Sequence, residues 1–162
     1  LLLVDGETAN GEKDHLLRWS MTNRQLTFAQ DLGPLASKRE RQKRKAELAK
    51  QGQPLPPPTP AELADPAFHR TEPVARRPFS REANRWYTLT LEVAGSDALA
   101  VIDGEPVLFA ETKTLDAGKS VFHFLVGKGD VDIDDVTIWS ARLSDDHARQ
   151  RAEWKSRFAE KR

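Results

Sequence analysis

Five short apolar alternations, four of them separated by turns or a polar loop and the last slipping phase midway, fill Trp86 to Ser140 and constrain the chain more than anything else in it. From Trp86 to Val93, Tyr87, Leu89, Leu91 and Val93 fall on one side and Trp86, Thr88, Thr90 and Glu92 on the other, the period of a half-buried strand. Ala94 to Asp97 turns the chain. A second strand, Ala98 to Ile102, ends at Asp103-Gly104, a dipeptide suited to the positive φ angles of a two-residue hairpin, and Glu105 to Glu111 returns from it. After the polar loop Thr112 to Lys119, Ser120 to Val126 alternates again, and Gly127 to Asp130 supplies a further turn. A last strand is expected from Val131 to Trp139. Its parity slips at Asp134-Asp135, so a bulge is expected there.

Composition limits how much of the chain this pattern can organise. Of 162 residues, 38% are hydrophobic and 31% charged, so solvated appendages must accompany one packed core. The absence of cysteine excludes a disulfide framework, a thiolate metal site and a thiol nucleophile. The opening Leu1 to Val4 lacks an initiator Met and is too short for a signal or membrane span. A fragment is expected, with N-terminal strands missing. Net charge is zero but uneven: Leu1 to Ala36 holds three bases and five acids, and Trp86 to Leu143 four bases and ten acids. Ser37 to Gly52 alone carries seven bases against two acids, which predicts a basic appendage beside an acidic sheet.

Elsewhere the signals are more local. Leu1 to Val4 reads as a strand remnant and Asp5 to Asp14 as a loop. His15 to Met21 and Gln25 to Gln30 alternate around a Thr22-Asn23-Arg24 turn and predict two strands. Ser37 and Glu40 form a capping-box pattern, and Gly52 suits the position after a helix end, so 37–52 is expected to be helical. With Leu48 its only large apolar residue, that helix has little to bury. Pro54 to Pro60 reads as an extended spacer, and 37–84 as one insertion between two strands. At the far end, Ser144, Asp145 and Asp146 open a C-terminal helix over 144–162, with Ala148, Ala152, Trp154 and Phe158 as its docking stripe.

Three pieces of the chain resemble a known family: Arg85-Trp86-Tyr87-Thr88-Leu89-Thr90-Leu91-Glu92-Val93, Val101-Ile102-Asp103-Gly104, and Val131 to Trp139. The succession resembles the C-terminal half of concanavalin-like jelly-roll domains, closest to the 3-keto-disaccharide hydrolase type found in exported bacterial proteins. It covers roughly a third of the chain and speaks for fold more than chemistry. The fold it implies is all-β: one antiparallel jelly-roll β-sandwich over 1–162, N-terminally truncated, with the basic insertion and the C-terminal helix. It also implies a secreted or periplasmic setting and a glycan or glycoside ligand. The glucanase relatives carry an E-x-D-x-x-E strand, which this sequence lacks, so no catalytic acid or base is assigned and hydrolysis rests on resemblance alone.

Candidate sites follow from faces of the expected strands. Trp86, Thr88, Glu92, His123 and Arg18 would form an aromatic-rimmed polar groove for a sugar if their faces lined one surface. The competing reading is a structural Trp among ordinary surface residues. Asp130, Asp132 and Asp134, with Asp135 near, alternate as calcium ligands could, but a solvated face at a bulge is favoured because calcium needs six or more oxygens. His15, His69 and His147 have no metal-ligand spacing, and neither a metal nor a cofactor is expected. The basic helix at 37–52 is a candidate protein-binding surface. Nucleic acid is disfavoured there because no aromatics are interleaved. A non-catalytic interaction module using that helix and the C-terminal one is the alternative to glycan binding.

Overall fold

The computed structural model describes residues 1–7, 13–126, 131–140 and 142–159. Among the described residues, eight strands lie in two antiparallel sheets: β1 (Leu2–Glu7), β2 (Lys13–Met21), β3 (Gln25–Leu32), β4 (Arg70–Pro78) and β8 (Lys119–Phe124) in one, and β5 (Leu89–Ala94), β6 (Asp97–Ile102) and β7 (Glu105–Glu111) in the other. The larger sheet runs β4-β3-β2-β1-β8 and the smaller β5-β6-β7. Helices α1 (Leu35–Lys50), α2 (Pro60–Ala64) and α3 (His147–Ala159) and a 3₁₀ turn (Lys113–Leu115) complete the described elements.

The sheets share one core. Val4, Leu17, Trp19, Leu26 and Phe28 of the larger sheet pack with Ala98, Ala100, Ile102, Leu108 and Ala110 of the smaller. Alternation in β3 and β6 places these side chains on facing surfaces, so the residues between them point away from the core. A bulge between Val4 and Asp5 lets Leu16 and Leu17 both turn inward. Beside it, Gly6 lies so close to the Gly118 carbonyl that a Cβ would meet that oxygen at 2.0 Å, so only glycine fits. The meander is as expected: Gly95 (φ 54°) turns β5 into β6, and Asp103 (φ 52°) and Gly104 (φ 84°) turn β6 into β7.

Several expectations change. The stretch Val131 to Trp139 forms no strand: β8 pairs only with β1, no ladder reaches this segment, and Val131, Ile133, Val136, Ile138 and Trp139 are all exposed. Asp135, with φ 50°, breaks the extension where the parity slips. The turn expected at Gly127 to Asp130, and with it Asp130, lies outside the described residues. Second, the 37–84 insertion contains a strand, β4, the outer strand of the larger sheet. Its sequence, Arg-Thr-Glu-Pro-Val-Ala-Arg-Arg-Pro, hides it, because Pro73 and Pro78 are tolerated only at an edge. Third, the strand from Trp86 begins only at Leu89, leaving Trp86 to Thr88 as an exposed lead-in around half-buried Tyr87.

The helices dock differently. Helix α1 starts at Leu35 with Pro34 before it, and the Ser37 hydroxyl donates to the Ala67 carbonyl (2.7 Å) instead of capping its own helix. Its C-terminal end follows the expected pattern, with Gly52 at φ 69° and the amides of Gly52 and Gln53 reaching the Ala49 and Leu48 carbonyls. Arg39, Lys43, Arg44, Lys45 and Lys50 on it are exposed and have no ion-pair partner among the described residues. Helix α3 lies on the smaller sheet: Trp154 packs on Phe109 (ring centroids 6.0 Å apart), while Arg151 reaches Asp97 (2.5 Å) and Glu111 (2.6 Å). Ala148 and Ala152, expected in its stripe, are exposed; Trp154 supplies the aromatic contact, and the Arg77 guanidinium lies 5.8 Å from the Phe158 ring centroid. Residues 160–162 lie outside the described chain.

Candidate functional site

The outward face of the larger sheet carries a row of polar side chains that crosses all five strands. On β1 the Asp5 carboxylate takes His15 Nδ1 of β2 at 2.6 Å and lies 3.0 Å from His123 Nε2 of β8. On β3, Asp31 is a hub. Its Oδ1 accepts from Arg18 Nε (2.8 Å) and the Thr71 hydroxyl of β4 (2.6 Å), and its Oδ2 from Arg18 Nη2 (2.5 Å) and Lys38 Nζ of α1 (3.2 Å). Lys38 also holds Asp14, so the first turn of α1 is tied to the sheet by one ammonium shared between two carboxylates.

Register explains the hub. Arg18 stands opposite Ala29 across the β2-β3 hairpin, two residues from Asp31, and Thr71 stands opposite Asp31 across β3-β4. The Asp31 side chain is 2% exposed. Burial by itself would push its carboxyl up, but hydrogen bonds from Arg18 and Thr71 and the charges of Arg18 and Lys38 prevail and hold it at about 2. His69, 10% exposed at its side chain, stands with Nε2 3.8 Å from Asp31 Oδ2 and without a hydrogen-bond partner. Burial lowers its pKa below the ordinary histidine value, against the pull of Asp31, so the ring is neutral near pH 7. Asp14, His15 and Asp31 each bring one ligand-capable atom within 4.8 Å of the others.

A second constellation surrounds Trp86 on the smaller sheet. The indole is 68% exposed. The loop carrying it is fixed on both sides: Arg85 bonds Glu82 (2.8 Å) and Asp103 (3.0 Å), and its guanidinium lies 4.8 Å from the Tyr87 ring centroid. Asp103 also accepts from the Thr88 amide (2.9 Å), and the Tyr87 hydroxyl accepts from the Glu82 amide (2.8 Å). Leu91 and Val93 pack on the core, so Thr90 and Glu92 face outward along β5, with exposed Thr88 just before the strand.

The five groove residues therefore divide between two surfaces. Arg18 and His123 lie on the outward face of the larger sheet, Arg18 committed to Asp31 and His123 beside Asp5. Trp86, Thr88 and Glu92 stay together on the outward side of the smaller sheet. Asp132, Asp134 and Asp135 are exposed, and Asp134 accepts from the Asp135 amide (2.9 Å). His15 and His69, unrelated by spacing, both approach the Asp31 hub. The signal that could have found the Arg18–Asp31 pair of the hub is the 22–24 turn, which sets the hairpin register, whereas Thr71 and Lys38 arrive from outside that hairpin. No protein-family model matches the chain, and neither a curated protein nor a solved structure matches it.

Proposed function

We propose that this chain is a carbohydrate-associated domain of the jelly-roll kind, and that it binds a glycan at Trp86, Thr88 and Glu92. The observation that carries the reading is the exposed Trp86 indole on a loop immobilised by Arg85, Asp103 and the Tyr87 hydroxyl. Sugar rings present apolar C–H faces, and an indole face already held in place stacks on one with little loss of conformational freedom. Thr88 and Glu92 then offer hydroxyl and carboxylate partners roughly 13 Å apart along the strand, four residues at strand rise. That span fits an oligosaccharide chain rather than a single ring. Binding is favoured over hydrolysis because Glu82 and Asp103, the acids that hold the loop carrying the indole, are both engaged by Arg85.

A glycan array followed by titration of each hit against the full chain tests this. Saturable binding to one glycan class is expected, weakened at least ~10-fold by Trp86→Ala, about 1.4 kcal/mol of stacking, with circular dichroism unchanged. A blank array on folded protein, or equal affinity in the Trp86→Ala variant, sinks it.

The second reading, a protein-interaction module, is favoured by the exposed basic residues of α1. Deleting residues 39–58, which spares Lys38, is expected to leave the sheet folded and to abolish capture of an acidic protein partner. Capture that survives the deletion counts against it.

A further inference from the structure

We propose that Asp14, His15, Asp31 and His69 form a site for a divalent transition-metal ion such as zinc, and that the Lys38 ammonium occupies the metal's place between the two carboxylates until the ion displaces it.

Four features on the outward face support this. Ligand atoms of Asp14, His15 and Asp31 lie within 4.8 Å of one another. Donors around zinc at about 2.0 Å stand roughly 3.3 Å apart, so rotamer adjustments complete the shell. His69 is the independent sign. Its side chain is nine-tenths buried, its Nε2 has no hydrogen-bond partner, and that atom faces Asp31 Oδ2 at 3.8 Å. A buried imidazole nitrogen left without a partner is costly, and a metal on the Asp31 carboxylate would satisfy it. His15 is already arranged as metal-ligating histidines usually are: its Nδ1 is bonded to the Asp5 carboxylate at 2.6 Å, which leaves Nε2 available for a ligand. Finally, Lys38 bridges Asp14 and Asp31 as a cation shared by two carboxylates. Two imidazoles and two carboxylates suit zinc, cobalt, nickel or manganese, whereas calcium and magnesium favour all-oxygen shells.

The competition between metal and ammonium gives the test its shape. Calorimetric titration of the full chain with zinc chloride is expected to show one saturable site that magnesium does not fill. His69→Ala leaves the ion-paired network in place and should weaken zinc at least ~10-fold. Lys38→Met removes the competitor and should tighten it at least ~10-fold, read on protein whose circular dichroism matches the parent. If Lys38→Met does not fold, His69→Ala and Asp14→Asn decide the matter alone. No saturable zinc binding in the parent, or affinity unchanged by both His69→Ala and Asp14→Asn, overturns the site.

Discussion

Asp31 and Asp103 are the same kind of object in two settings. Each is a carboxylate gripped by one arginine, with a further donor from a neighbouring strand or loop: Arg18 and Thr71 for Asp31, Arg85 and the Thr88 amide for Asp103. Asp31 is 2% exposed, whereas Asp103 and Arg85 are 37% and 47% exposed. In the first setting water cannot replace a lost partner, so the grip is part of what holds the sheet and α1 together. In the second, water can. There the ion pairs hold a surface loop in one shape and contribute little to the stability of the fold.

Three measurements would break or sharpen that contrast. The largest effect is expected from Asp31→Asn, which strands Arg18 without its countercharge, leaves Lys38 with Asp14 alone and should cost about 3 kcal/mol in denaturant unfolding. A loss no greater than that of Asp103→Asn would erase the distinction. Next comes pH. Because the Asp31 carboxyl sits at about 2 in the folded chain, below its unfolded value near 4, its contribution is complete above pH 4 and disappears as pH falls through 2. The parent should therefore lose about 2 kcal/mol more than Asp31→Asn across that window. Parallel acid-unfolding curves would contradict the assignment. The smallest effect on stability is expected from Asp103→Asn, which tolerates the positive φ of the turn, should leave the unfolding midpoint nearly where it was and still reduce glycan affinity several-fold by removing the Arg85 ion pair that holds the Trp86 loop. Undiminished affinity would show that Asp103 does not position the indole.

The same contrast marks what could be read from the chain beforehand. The β5-β6-β7 meander was legible because its determinants are local: alternation of period two, Gly95-Ser96 and Asp103-Gly104. The hairpin of β2 and β3 was legible for the same reason. Strand β4 was not, since two prolines and four charges in nine residues read as loop, and only pairing with β3 makes it a strand. Val131 to Trp139 failed in the opposite sense: alternation describes a residue's neighbours in sequence, while a strand also needs a partner, and β8 faces β1 instead. The Asp31 hub joins residues from Asp14 to Thr71 through two strand registers and a helix start, so no single hairpin contains all of it. Trp86 was visible as a candidate, but the ion pairs that immobilise its loop were not, because Asp103 looks like a turn residue alone.

The prolines of β4 also decide how this sheet can meet its neighbours. Pro73 and Pro78 withhold two amide donors from one border of the five-stranded sheet, so an incoming strand finds a broken ladder there. The opposite border, β8, has no such gap. Strand addition to this sheet is therefore steered away from the border that carries Thr71 of the Asp31 hub by two ring-locked residues.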